Sequence, residues 1–326
     1  MGTRLLTVMS VIGLAVVCTP AVAEAAPAHI CSWEASALPL PAGVDRGWIT
    51  GSSADGSLVG VVSDHGGAHQ VALWRNGVPT LVGGFGGHPV ETEAFDVNDA
   101  GDLAGATYPE VGVSTPVIYH NGAWSVLSNG TRSLNGEAVG VNDSGQVVAT
   151  VLDGARVHVG VWNVDHPDQV SYVDLPPGED AAYTAVDEQG DVVASTWSGR
   201  AFLFTAGHRT VELTAETPHD WLAARGVHDG HIVGRSGSNA VEWDFTGAVV
   251  ADLVEDGNAF AVNGADQVVG DSGAGHYVWQ NGTVAGVLGV PEGASSWSAA
   301  TITDAGVAAG TFTNGYPLPA QWSCQD

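Results

Sequence analysis

Several residues whose side chains bind divalent metals lie close together in two Gly-rich segments. His65 and His69 are four residues apart in the first segment, and His88, Glu91 and Glu93 follow in the second. Imidazole and carboxylate groups together suit zinc or a similar ion. Glycine-rich loops do not preset ligand geometry, so the same spacing fits histidines that are simply solvated. We keep His65, His69 and His88 as an alternative, and our main expectation is no metal and no cofactor.

Two glutamates, Glu93 and Glu137, occupy equivalent positions in consecutive copies of an internal repeat. Two carboxylates at a suitable separation act as acid and base in glycoside cleavage. A surface feature shared by two repeats would leave the same pattern. The pair is therefore an alternative catalytic site, and the sequence contains no Gly-x-Ser-x-Gly elbow, His-Glu-x-x-His motif or phosphate-binding loop.

Aromatic and arginine side chains in irregular segments form a second candidate site. Exposed aromatic rings stack on sugars or anchor protein partners, and arginine binds carboxylates. Two of the tryptophans fall at nearly matching places in their repeats, which fits packing between repeats equally well. The candidate ligand-binding residues are Trp48, Tyr183, Trp197, Arg200, Trp221, Arg225 and Trp297.

These residues must be positioned by a repeat of roughly 36 to 45 residues, a period typical of four-stranded propeller blades. Each of seven copies contains a turn such as Asn98-Asp99-Ala100-Gly101 or Asn142-Asp143-Ser144-Gly145, followed by a Val-rich strand. Asp and Asn bind nearby backbone amides and, with Gly, tolerate the backbone angles of tight hairpins. We interpret these segments as turns, because they lack the remaining ligands of a calcium loop.

An aromatic residue follows the Val-rich strand in every copy, and small residues recur on the strand before the turn. A large ring at one register of each third strand is expected to fill the wedge between adjacent sheets. The aromatic positions are Trp74, Tyr119, Trp162, Phe204, Trp243, Trp279 and Trp322. The recurring alanines, expected at a crowded inner position, are Ala94, Ala138, Ala224, Ala259 and Ala299.

The fourth strand is missing from the seventh copy, and its counterpart lies near the start of the chain. Residues 38–43 align with residues 288–293, so an N-terminal strand is expected to complete the last blade. The same alignment places Cys31 and Cys324 in one interrupted hairpin, where a disulfide would close the ring. The sequence thus predicts an all-β, seven-bladed β-propeller of four-stranded blades, with a β-solenoid as the alternative.

The copies, for example residues 138–149 followed by His158-Val159-Gly160-Val161-Trp162, resemble the HAF family of extracellular repeats. The resemblance covers nearly the whole chain after the N-terminal segment. The His-Ala-Phe element of that family is matched only in part, by segments such as Arg200-Ala201-Phe202. The resemblance implies secretion and tandem β-repeats, and it carries no catalytic residues over to this chain.

Residues 1–26 have the pattern of a secretory signal peptide, with Arg4, an apolar stretch and small-residue cleavage sites. We therefore expect a secreted protein whose single propeller domain spans residues 27–326. The chain has no lysine and carries a formal charge of -27, which disfavours nucleic acid. We also expect no membrane span and a monomeric state.

In a propeller, the loops that join second to third strands and successive blades share one face, where ligands usually bind. A regular scaffold without a catalytic motif favours a non-catalytic protein that binds a glycan or an extracellular protein through this loop-rich face. The alternative is an extracellular hydrolase or lyase that acts on a polysaccharide or other polymer, with or without a metal.

Overall fold

The computed structural model describes residues 31–67, 69–86 and 91–325. Within these residues the chain forms seven four-stranded antiparallel sheets arranged as a ring, so the predicted seven-bladed β-propeller is confirmed. The expected signal peptide, residues 1–26, lies outside the described residues. The part of the chain that is described contains no helix long and apolar enough to cross a membrane.

The strands are numbered along the chain, and β1 (Ser32–Ala37) precedes the first complete blade. Blade one comprises β2 (Arg46–Ser52), β3 (Leu58–Ser63), β4 (Gln70–Arg75) and β5 (Val78–Gly83). Blade two comprises β6 (Glu91–Val97), β7 (Leu103–Glu110), β8 (Val113–His120) and β9 (Ala123–Val126). Blade three comprises β10 (Asn135–Val141), β11 (Gln146–Asp153), β12 (Arg156–Asn163) and β13 (His166–Tyr172). Blade four comprises β14 (Ala181–Val186), β15 (Val192–Thr196), β16 (Ala201–Phe204) and β17 (Thr210–Glu212).

The remaining strands form blades five to seven. Blade five comprises β18 (Leu222–His228), β19 (His231–Ser236), β20 (Asn239–Asp244) and β21 (Val249–Val254). Blade six comprises β22 (Gly257–Val262), β23 (Gln267–Ser272), β24 (Gly275–Gln280) and β25 (Thr283–Val287), and blade seven has β26 (Ser296–Ile302), β27 (Val307–Asn314) and β28 (Tyr316–Gln325).

The N-terminal strand closes the ring as the repeat alignment predicts. Strand β1 pairs antiparallel with β28 and supplies the outer strand of blade seven, with Ala35 opposite Trp322. Cys31 and Cys324 form the predicted disulfide, with their Cα atoms 5.6 Å apart across 293 residues of sequence. The covalent bond replaces the hairpin that joins third and fourth strands in the other blades.

The aromatic column packs between blades, and four of its tryptophans also tie their blade to the preceding connection. The five tryptophans of the column are at most 2 % exposed, whereas Tyr119 and Phe204 are half-buried. The indole Nε1 of Trp162 donates to the Ser128 carbonyl at 2.8 Å, and that of Trp243 donates to Thr214 at 2.8 Å. Equivalent bonds from Trp74 and Trp322 reach the connections before their own blades.

Every innermost strand contains a β-bulge close to its recurring alanine or the equivalent position. The five alanines predicted at a crowded position are at most 3 % exposed, so that expectation is confirmed. A bulge adds one unpaired residue and redirects its side chain. The seven bulge residues are Thr50, Phe95, Val139, Ala182, Arg225, Phe260 and Ala300.

The alternation of strands separates two faces. The Asn-Asp turns and the hairpins between third and fourth strands lie on one face, here called the turn face. The loops between second and third strands and the connections between blades lie on the opposite loop-rich face. The strands of each blade run between these faces, so a residue's place along its strand determines the face it approaches.

Candidate functional site

The bulge residues converge on a cavity in the centre of the ring, toward the loop-rich face. All seven of them line this cavity, whose volume is about 510 Å³. We call it the mouth cavity. Pockets of this size commonly hold a small ligand or one unit of a larger one. Because the bulge positions differ in residue type from blade to blade, the wall is chemically asymmetric although the scaffold is regular.

Aromatic and charged side chains occupy one part of the mouth cavity. Phe95 and Phe260 contribute apolar rings from opposite parts of the chain. The exposed Arg225 guanidinium lies over the Tyr183 ring, 5.0 Å from its centroid, in a cation–π contact. Arg225 makes no ion pair with a carboxylate in the described part of the chain, so its donors face the cavity unneutralised.

The Glu137 carboxylate also lines the mouth cavity and is held by a neighbouring tyrosine. The Tyr108 hydroxyl donates to Glu137 Oε1 at 3.0 Å. Burial, together with the negative charges of Glu137 and Glu93, raises the pKa of Tyr108 far above its usual value. Tyr108 therefore remains protonated and acts as a hydrogen-bond donor that fixes the position of Glu137.

A second polar group lies where blades one and two meet. His69 Nδ1 lies 2.7 Å from Glu93 Oε1, and the His69 ring meets Trp48 edge to face at a centroid distance of 5.1 Å. Glu93 and Glu137 occupy the same register on β6 and β10, one residue before the buried alanine. The negative charges of both glutamates raise the pKa of the Tyr108 hydroxyl, so the two candidate catalytic carboxylates lie near the same tyrosine.

Arg200 is bound by neighbouring acids. Its Nε and Nη2 donate to the two Glu212 carboxylate oxygens at 2.7 Å each, and Nη1 donates to Glu179 at 2.9 Å. These bonds from Arg200 lower the pKa of Glu212. The guanidinium also covers the Phe202 ring at 4.8 Å. Arg200 thus links Glu179 and Glu212 at blade four, and few of its donors remain free to bind a ligand.

The predicted tryptophans divide into two groups. Trp197 and Trp221 are 59 % and 46 % exposed in adjacent loops around blades four and five, on the same face as the mouth cavity. Trp297 is half-buried and packs against His276 at a centroid distance of 5.6 Å. Trp48 aligns in register with Ser298 and not with Trp297, so the two nearly matching tryptophans lie on opposite faces of their strands.

The predicted metal ligands do not form a common cluster among the described residues. His65 Nδ1 lies 2.9 Å from Nη2 of Arg46, and His69 is paired with Glu93. His88 lies outside the described residues. The hypothesis of a site that joins these three histidines therefore stays a prediction.

Sequence reasoning identified Glu137, Tyr183 and Arg225 but missed Phe95 and Phe260. Their signal was the variable residue directly after each recurring alanine, since Phe95 follows Ala94 and Phe260 follows Ala259. Simple strand alternation would direct these two rings against a neighbouring blade and away from the cavity. The bulge reverses that assignment, and it is not visible in a hydrophobic pattern.

Structural comparison supports the class of fold. A streptogramin B lyase matches with a TM-score of 0.56 and 13 % identity, over 90 % of this chain and 98 % of that chain. U3-55K matches with a TM-score of 0.58 and 13 % identity, over 89 % of this chain and 98 % of that chain. A catalytically inactive virginiamycin B lyase from Staphylococcus aureus with quinupristin matches with a TM-score of 0.58 and 10 % identity, over 90 % and 100 % of the two chains.

At such low identity these similarities establish the propeller fold and no activity. No protein-family model and no curated protein matches the sequence, so the HAF resemblance stays a prediction. The protein is a seven-bladed β-propeller whose ring is closed by a disulfide between residues near its two ends.

Proposed function

We propose that the protein is a secreted, non-catalytic propeller that binds a glycan at the mouth cavity. The observation that carries the proposal is the convergence of Phe95, Phe260, Tyr183, Arg225 and Glu137 on one recess of about 510 Å³. Aromatic rings offer faces for sugar rings, and arginine and carboxylate groups bind hydroxyls. A recess of this size fits a terminal or protruding sugar better than a flat protein surface.

The exposed loop tryptophans extend this proposal beyond the cavity. Trp197 and Trp221 lie on the same face, where further units of a glycan could stack on them. Arg225 supplies positive charge on a chain of strongly negative net charge. A sugar that carries a carboxylate would therefore be attracted locally to Arg225, although the remaining surface repels it.

The test is a glycan array probed with the full chain and with two cavity variants, Arg225→Met and Phe260→Ala. We expect specific signals that fall at least about tenfold in both variants, because each removes one central contact. Arg209→Met is the matched control, since Arg209 donates to the Phe245 carbonyl on the opposite face. Absence of specific signals, or equal loss in all three variants, would refute glycan binding at this cavity. If the chain instead captures one extracellular protein, and this capture is lost in Arg225→Met, the ligand of the mouth cavity is a protein and not a glycan.

The second candidate function is an extracellular hydrolase or lyase that acts on a polymer. The specific observation in its favour is the His69–Glu93 pair beside Trp48, because a histidine oriented by a carboxylate is a common general base. Polysaccharide panels should be assayed for new reducing ends and for unsaturated products. Activity abolished by both His69→Ala and Glu93→Gln supports this candidate, and activity that survives both changes removes the proposed pair.

A further inference from the structure

A cluster of three ionisable side chains lies between blades five and six on the turn face, at the end of the strands opposite to the loop-rich face. His231 begins β19, Glu242 lies in β20, and Asp266 belongs to the turn before β23. One ligand atom from each residue lies within 4.8 Å of the other two. Among the described residues, no other group of three potential ligands converges in this way.

The spacing of the three atoms resembles that of ligands around one metal ion. His231 Nδ1 lies 2.6 Å from Glu242 Oε1 and 3.2 Å from Asp266 Oδ1. Two ligands that each bind an ion at 2.0 to 2.2 Å are roughly 3 Å apart at tetrahedral or right angles. Both carboxylates approach the same ring nitrogen, and the contact with Glu242 is a hydrogen bond whose proton a metal ion would replace.

The charge and solvation of the cluster favour a cation. Glu242 is only 3 % exposed, and Asp266 Oδ1 is buried without a hydrogen-bond partner in the described structure. Two carboxylates therefore share one imidazole, and a single imidazolium would compensate only one of their two negative charges, whereas a divalent cation would compensate both. Glu242 and Asp266 also line a cavity of about 380 Å³, which leaves room for water at further coordination positions.

A related histidine on the same face provides a contrast. His120 also lies between two carboxylates, but its Nδ1 approaches Asp102 at 2.7 Å and its Nε2 approaches Asp165 at 3.3 Å. Opposite ring nitrogens cannot bind one ion together. His120 Nδ1 is therefore hydrogen-bonded to Asp102 while its Nε2 lies 2.7 Å from Asn121 Nδ2, whereas the geometry of His231 permits a common metal centre.

We infer that His231, Glu242 and Asp266 form a binding site for a divalent transition metal ion such as zinc, with an open position toward the adjacent cavity. One imidazole and two carboxylates are ligands that zinc accepts, whereas calcium and magnesium prefer oxygen alone. Two ligands come from blade five and one from blade six. The ion would thus link neighbouring blades on the turn face, independently of ligand binding at the mouth cavity.

The test uses the full chain without a polyhistidine tag, after removal of metals with a chelator. Zn²⁺ affinity is measured by competition with a chromophoric chelator, and Co²⁺ is added separately to record its visible absorption. The variants are His231→Gln and Asp266→Asn, with His120→Gln as the matched control. Circular dichroism compares the folding of all variants with that of the natural chain.

We expect one Zn²⁺ equivalent per chain and a Co²⁺ spectrum of low coordination number. Affinity should fall at least about tenfold in His231→Gln and Asp266→Asn and stay unchanged in His120→Gln. The inference is overturned by stoichiometric binding that is equal in all folded chains. It is also overturned if the natural chain binds Zn²⁺ no more tightly than His231→Gln.

Discussion

The amide of Asn142 in blade three donates from Nδ2 to the main-chain carbonyl of Asp187 in blade four at 2.9 Å. The same contact recurs from Asn98 to Asn142 at 3.0 Å and from Asn263 to Thr303 at 2.7 Å. The repeated asparagine is therefore more than a turn former, because its side chain reaches the turn of the next blade. These three bonds, here called the belt, join neighbouring blades on the turn face.

The acid that follows in the turn completes this belt from the other side. The carboxylate of Asp143 accepts a hydrogen bond from the Asp99 amide at 2.8 Å, and that of Asp99 accepts one from the Asp55 amide at 2.7 Å. The turn of blade two thus receives a backbone donor from blade one and donates to blade three. The Asn-Asp pair is repeated since it serves both neighbours.

We predict that Asn142→Ala lowers the free energy of unfolding by about 2 to 3 kcal/mol. Asn142 is 1 % exposed, and its loss leaves the Asp187 carbonyl and the Gln146 amide without their side-chain partner. Urea denaturation followed by tryptophan fluorescence provides the measurement. The exposed Asn135→Ala is the control, with an expected change below about 0.5 kcal/mol. Equal stabilities of the two variants would show that the belt contributes little.

Removal of the disulfide by Cys31→Ser with Cys324→Ser should lower the free energy of unfolding by about 2 to 5 kcal/mol. The bond closes a loop of 293 residues in the unfolded chain, which loses more entropy than a short loop would. Pairing of β1 with β28 should keep the variant folded at low urea. A reductant should destabilise the natural chain to the same level and leave the variant unaffected. Identical urea midpoints with and without reductant would contradict the prediction.

Stability should fall with rising pH because of Asp96. Its carboxylate faces the central channel near Glu188 and accepts a bond from the Val141 amide at 3.0 Å. Burial raises the pKa of Asp96 to about 7. The folded chain therefore holds a proton that the unfolded chain has released, so the free energy of unfolding decreases between about pH 4 and pH 7.

Asp96→Asn should remove this part of the pH dependence. The full difference between the pKa values of Asp96 in the folded and unfolded chain corresponds to about 4 kcal/mol of unfolding free energy. We expect a change of about 2 kcal/mol because the channel admits water. Urea denaturation at about pH 4 and pH 8 gives the change. Asp168→Asn, which alters an exposed carboxylate on β13, is the charge-matched control. If Asp96→Asn keeps the slope of the natural chain, Asp96 does not carry this proton.

The sequence was sufficient for the fold because propeller blades are repetitive and each copy supports the alignment of the others. The missing seventh outer strand and the Cys31–Cys324 bond followed from register alone. The mouth cavity was harder, since Phe260 enters it only because a bulge shifts one residue out of alternation. The cluster of His231, Glu242 and Asp266 was missed because two blades must meet before its ligands converge.

A final prediction compares two adjacent residues of β10 and tests the bulge directly. Val139 is the bulge residue and points into the mouth cavity, whereas Ala138 is fully buried in the blade core. Blades two and six already carry phenylalanine at the bulge, so Val139→Phe should change the free energy of unfolding by less than about 1 kcal/mol. Ala138→Phe must overpack the core and should cost about 3 kcal/mol or more. Urea denaturation measures both, and a comparable loss in the two variants would show that the bulge does not direct its residue into the cavity.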